Sequence, residues 1–174
     1  MMNKRHCCKV CNTRYLTGLR DRCIIMVMLR AGLRLSELTS LKVNHIDWQS
    51  GRTHIHEGKG HKDRIVYLDD ETMAWCQKWL GRRLVETDLL FCTLEGKPMT
   101  SRPIQHMIDR RAKKAGISKH VYPHLLRHTM ATELLNGAGN IRLVQKALGH
   151  SSLATTMIYT HVTDSDLERA MKKL

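Results

Sequence analysis

A chain of 174 residues is long enough for one well-buried domain and too short for two of ordinary size. Its 29 Lys and Arg against 16 Asp and Glu give a formal charge of +13, a balance that favours a polyanionic partner, nucleic acid first and a membrane surface second. No apolar run approaches the roughly 18 residues of a membrane span, and MMNKRHCCKV lacks the apolar core of a signal peptide, so the expectation is a soluble, cytoplasmic protein.

Residues 1–12 are basic and cysteine-rich without helical periodicity, and read as a tail ahead of one domain over 13–174. Of the six cysteines (7, 8, 11, 23, 76 and 92) only Cys8 and Cys11 form a CxxC. With His6 and no second pair they fall short of a four-ligand zinc site, so free thiols, some of them buried, are expected. DRCIIMVMLRAG from Asp21 predicts an apolar helix closed by Gly32, and LSELTSL at 35–41 a short amphipathic one opened by Ser36. Residues 43–68 alternate in type, with turn signals at QSG and GKG, and predict a small three-stranded antiparallel sheet. Helices return over 70–84, with Asp70 as cap, and over 100–115, a basic helix ended by Gly116. Pro123 opens HLLRHTMATELLN, which GAG at 137–139 breaks; IRLVQKAL, SSLATTMIYTH and DLERAMKKL complete the chain. The fold class is mainly α with a small three-stranded antiparallel β-sheet.

Chemistry-bearing residues recur beside the turns. Arg34 and Glu37 lie in AGLRLSEL, Lys59 at a glycine-flanked turn in GKGHKDR, His124 and Arg127 in HLLRH, His150 in LGH, and Tyr159 nine residues later. That inventory suits attack on a phosphodiester. Negative charge builds on the non-bridging oxygens, and arginines match that geometry bidentately, which points to Arg34 and Arg127. A lysine with a lowered pKa can protonate the departing oxygen, which points to Lys59. A phenol needs neighbouring cations and a base before it becomes nucleophilic; His124 is the candidate base and His150 a phosphate ligand. No acidic cluster suited to Mg²⁺ appears among these motifs, so no cofactor is expected and the arginines stand in for a metal.

AGLRLSEL, GKGHKDR, PHLLRHTMAT and LGHSSLATTMIYTHV together resemble the catalytic domain of the tyrosine recombinases, or phage integrase family, over residues 20–168. The resemblance implies that Arg34, Lys59, His124, Arg127, His150 and Tyr159 are catalytic, with Glu37 in support and Tyr159 forming a covalent 3′-phosphotyrosyl link to double-stranded DNA. It also implies a homotetramer at synapsis, in which a C-terminal tail such as DLERAMKKL docks onto a neighbour, and accessory DNA-bending proteins in a nucleoid setting. Lys62 and Arg64 beside the hairpin turn, and Arg102, Arg110, Arg111 and Lys113 on the basic helix, are the candidate DNA contacts.

Some residues compete for these roles. Arg20 in TGLR rivals Arg34, but precedes the apolar helix and lacks the SEL that follows Arg34; Lys62 rivals Lys59 on the same turn. Tyr15, Tyr67 and Tyr122 read as structural, with Tyr67 packed in its strand, and Trp48, Trp75 and Trp79 as core. His45, His54, His56 and His61 read as a basic sheet edge lying on DNA. Three alternatives stay open: a DNA-binding regulator without chemistry, a type IB topoisomerase, and a fimbrial-type invertase. About twenty residues precede the first recognised helix, whereas most family members carry a separate helical domain there, so a fragment or a catalytic-domain-only protein is expected.

Overall fold

The structure, a computed structural model, describes residues 4–56 and 63–149. The helices expected in SSLATTMIYTH and DLERAMKKL lie outside the described residues. Among the described residues lie seven α-helices and a two-stranded sheet, in the order α1(Lys4–Lys9), α2(Leu16–Ala31), α3(Leu35–Ser40), β1(Arg52–Ile55), β2(Arg64–Tyr67), α4(Asp70–Leu80), α5(Ser101–Lys114), α6(Pro123–Ala138) and α7(Ile141–Leu148). No helix of the described residues is long and apolar enough to cross a membrane.

Residues 23–29 of α2 are apolar all round, and a helix segment of that kind is stable in water only when other elements cover it. Its residues 23–29 are all buried, with α1, α4, α5 and α6 packed about it. Gly32 ends it in the left-handed region (φ 60°), donating its N–H to the Met28 carbonyl. A Cβ at Gly32 would lie 1.9 Å from Met130 Cε, so glycine is also what lets α6 approach.

From Lys4 onward the chain packs on the core of the domain. α1 packs on α2 and buries Cys7 and Cys8 in the same core, which Cys11 joins just after the helix. Six residues carry too little pattern to announce a helix, and tertiary packing supplies its stability. All six cysteines are free and buried, as expected in kind; burial pushes the Cys8 thiol up to about 12 and Cys11 to about 11.

The sheet is smaller than expected. β1 and β2 pair antiparallel with Arg52 opposite Tyr67 and Ile55 opposite Arg64. The third pairing shrinks to one bridge, Ile46 with Thr53. Residues 43–45 coil into a 3₁₀ turn, where the Ile46 N–H donates to the Val43 carbonyl instead of a ladder. Alternation turns Thr53, Ile55, Arg64 and Val66 inward and leaves Tyr67 63% exposed, so Tyr67 is not a packed residue. Two caps also differ from expectation. Asp69, not Asp70, accepts the Thr72 N–H at 2.9 Å, and Arg34, not Ser36, precedes α3. Of the tryptophans, Trp79 is fully buried with its indole N–H on the Leu90 carbonyl, while Trp48 and Trp75 are half-buried against the core.

Candidate active site

Glu37 is the hub. It lies on the first turn of α3, 6% exposed, and accepts the Arg34 backbone N–H at 2.7 Å on Oε2 and the Arg34 guanidinium at 3.0 Å on Oε1. A carboxylate at this position satisfies an orphan donor of the helix start and meets the positive end of its dipole. From β2, Arg64 forks the same carboxylate, Nη1 to Oε1 and Nη2 to Oε2, both at 2.7 Å. Arg127 Nη1 stands 3.9 Å from Glu37 Oε2. Burial alone would raise the Glu37 carboxyl, but the Arg64 fork, the Arg34 N–H and the Arg127 charge outweigh it and hold the group below its ordinary value of 4.5. A buried carboxylate is tolerable here because every side of it meets a cation or a donor.

Arg127 sits on α6, four residues past Pro123, which starts the helix at a position where no N–H is missed. It is 3% exposed and anchored at both ends, Nη1 to the Gly32 carbonyl at 2.5 Å and Nη2 to the Leu148 carbonyl at 2.6 Å. The first bond ties it to the turn just before Arg34, and the second to the last turn of α7. Arg34 and Arg127 therefore face one open cleft of about 240 Å³, which His124, Tyr122 and Gln105 also line. His124 is exposed at its rim, on the first turn of α6. Two guanidinium groups and an imidazole converging on an open cleft form an anion site fit for a phosphodiester.

The rest of the expected set divides. Lys59, Lys62, His61, His150 and Tyr159 lie outside the described residues. Arg20, the rival of Arg34, donates to the Cys92 carbonyl at 2.8 Å and takes no part in the cleft. Arg64 and Arg111, expected as DNA contacts, are spent internally. Arg64 is 8% exposed on Glu37, and Arg111 binds the buried Asp21 carboxylate through Nη2 at 2.5 Å. Arginines so held cannot turn out to phosphate without leaving a buried carboxylate unpaired. Arg102, Arg110 and Lys113 remain exposed on α5, with Lys113 bridged to Asp109 one turn away at 2.7 Å. In β2 Arg64 shares the inward face with Val66.

The histidines behind Glu37 form a separate feature. His45, His54 and His56 line a hollow of about 300 Å³ with Glu37 and Ser40, and the His45 and His56 rings meet edge to face at 4.8 Å. Burial, followed by the charge of His56, lowers the His45 pKa. Among the described residues no group of His, Cys, Asp or Glu is arranged to hold a metal ion.

Comparison with known proteins bears on the chain as a whole. The phage integrase family model matches residues 6–166. Tyrosine recombinase XerC of Proteus mirabilis is 43% identical over 149 residues, covering 83% of this chain and 48% of XerC. The crystal structure of XerA recombinase superposes with a TM-score of 0.84 at 36% identity, covering 98% of this chain and 62% of that one. XerH site-specific recombinase bound to its difH substrate, in a pre-cleavage complex, gives a TM-score of 0.82 at 31% identity, over 97% of this chain and 51% of that one. The chain thus spans about half the length of the curated relatives it matches.

Proposed function

The chain belongs to the phage integrase family, and we propose that it is a site-specific DNA recombinase working through a covalent 3′-phosphotyrosyl intermediate. The observation that carries this reading is the convergence of Arg34 and Arg127 on one cleft with His124 at its rim. Scissile phosphate seats between the two guanidinium groups, whose charges oppose the negative charge that grows on its non-bridging oxygens. The Tyr159 phenol gives its proton to His124 and attacks phosphorus, while Lys59 protonates the departing 5′ oxygen and His150 hydrogen-bonds the phosphate. A 5′-hydroxyl from a second strand then reverses the step, and the phosphotyrosyl bond conserves the energy so that no nucleotide is consumed.

Arg127 is placed for this work by burial. Held under the cleft floor by two backbone carbonyls, it needs no reorganisation when phosphate arrives, and its field is weakly screened. The partner is double-stranded DNA, gathered as a homotetramer at synapsis with DNA-bending accessory proteins, and the exposed Arg102, Arg110 and Lys113 of α5 supply backbone contacts that position without specifying. The setting is the bacterial cytoplasm, at the nucleoid.

The test needs no knowledge of the target site. Protein incubated with supercoiled plasmid in EDTA and quenched with SDS should yield nicked or relaxed DNA carrying covalently bound protein, and Tyr159→Phe should yield none. DNA binding without a covalent complex would leave a binding module. Covalent complex without strand exchange between two duplexes would make the protein a nicking-closing enzyme.

A further inference from the structure

Arg64 carries more than its expected place on the sheet edge requires. It begins β2, opposite Ile55, and its side chain crosses the interior to reach two other elements at once. Both η nitrogens fork the Glu37 carboxylate on α3, and Nε donates to the Ala147 carbonyl in the last turn of α7 at 2.9 Å. Arg127 takes the next carbonyl, Leu148. The final carbonyls of a helix lack intrahelical donors and form the negative end of its dipole, so two arginines on successive carbonyls fix that end in place. Gly149 (φ 66°) turns the chain there, and the next residue in the sequence is His150. Both arginines also lean on Glu37, which in turn holds Arg34 through its backbone and its guanidinium.

We propose that Arg64 is a positioning residue, which locks the Arg34–Arg127 cleft to the end of α7 through Glu37 and the Ala147 carbonyl, and which does not touch DNA. The proposal rests on the strand-transfer reading above for its effect on rate, and on the contacts alone for its effect on α7. Only a guanidinium meets the requirement: three N–H groups in a fixed plane reach a two-oxygen acceptor on one side and a carbonyl on another. An ammonium at the same place keeps the charge and loses the fork. Because Arg64 lies five residues after Lys59, the same side chain also ties the arm of the hairpin to the cleft.

The experiment compares wild type with Arg64→Lys and with the double variant Glu37→Leu/Arg64→Leu, which removes the Glu37–Arg64 pair together and leaves Arg127 on the Gly32 and Leu148 carbonyls, a milder change than stranding either partner of the pair alone. Three quantities are read: hydrogen exchange across peptides of α7 and of α2, affinity for a generic duplex as a function of salt, and the single-turnover rate of covalent complex on supercoiled plasmid. In Arg64→Lys, α7 peptides should exchange about tenfold faster with α2 unchanged, the salt slope of DNA binding should stay at its wild-type value, and complex formation should fall about 100-fold, the scale of a 1 Å misplacement. The double variant should fold and remain as slow as Arg64→Lys, since Arg34 has lost its hold. A salt slope lowered by about one would make Arg64 a phosphate contact and overturn the proposal. So would unaltered α7 exchange, or wild-type cleavage in Arg64→Lys. Faster α7 exchange in a protein whose wild type forms no covalent complex would sustain the positioning role and defeat the recombinase reading instead.

Discussion

Two groups of arginines in this molecule look alike in the sequence and behave in opposite ways. Around Glu37, the side chains of Arg64 and Arg127 are almost wholly buried, and each is bonded to named acceptors on other elements. Along α5, Arg102 and Arg110 stand in solvent, outside the buried stripe of Ile104, Met107 and Ile108. The first group is held in the interior, where Arg127 lines the cleft and Arg64 stands behind it; the second is a diffuse cationic surface. A charge of +13 invites a DNA partner, but the count cannot say which cations meet it. What separates the groups is the presence of a buried acceptor, as Arg111 shows: it belongs to α5 by sequence and to the interior by its bond to Asp21.

The sharpest way to break this contrast is to remove Glu37. Glu37→Ala strands Arg64 and Arg127 in the interior and should cost about 3–5 kcal/mol, read by urea denaturation. Loss near that of a surface substitution would place the cluster in water after all. The same carboxylate sets a pH signature. Its folded pKa lies below the ordinary 4.5, so the stability it contributes is fully present above pH 4.5 and fades as pH falls through the lower folded value. Unfolding curves of wild type and Glu37→Gln should therefore converge on acidification, and a constant gap between them would contradict the assignment.

Gly32→Ala probes the anchor rather than the charge. The left-handed backbone costs an alanine about 1–2 kcal/mol, and the new methyl meets the end of the Met130 side chain at the residue whose own carbonyl holds Arg127. Stability should fall by at least that much, and covalent complex formation further than the remaining folded fraction explains. On α5 the expected effect on stability is smallest. Arg110→Gln should change it by less than about 0.5 kcal/mol, while lowering the salt slope of DNA binding by about one. A large stability loss there would erase the distinction between the two groups.

Much of this was legible in the sequence. α2 announced itself by an unbroken apolar run and Gly32, α6 by Pro123, and α7 by its spacing between glycines, because caps and breakers act locally. The elements that misled depend on tertiary contact. α1 is too short to be stable alone, and the third strand was lost to a 3₁₀ turn whose bonds compete with the ladder. At the site, Arg34, Glu37, His124 and Arg127 were named from their motifs, and the cleft unites three of them while Glu37 braces it from behind. The internal bonds of Arg64 and Arg111 were not legible, because a basic residue on a basic segment looks solvated and their buried partners lie 27 and 90 positions away. RIVY alone did not say which face is inward, since Ile65 and Tyr67 are as apolar as Val66; the burial of Arg64 and Val66 shows only in the fold.

The central claim is that the cleft activates Tyr159 against phosphate. Its most direct test is to trap the protein on plasmid with SDS, digest both partners, and locate the nucleotide-bearing peptide by mass spectrometry. The account predicts a single adduct, on Tyr159, joined to a 3′-phosphate. An adduct on Tyr122 or Tyr67, or one joined to a 5′-phosphate, would contradict it.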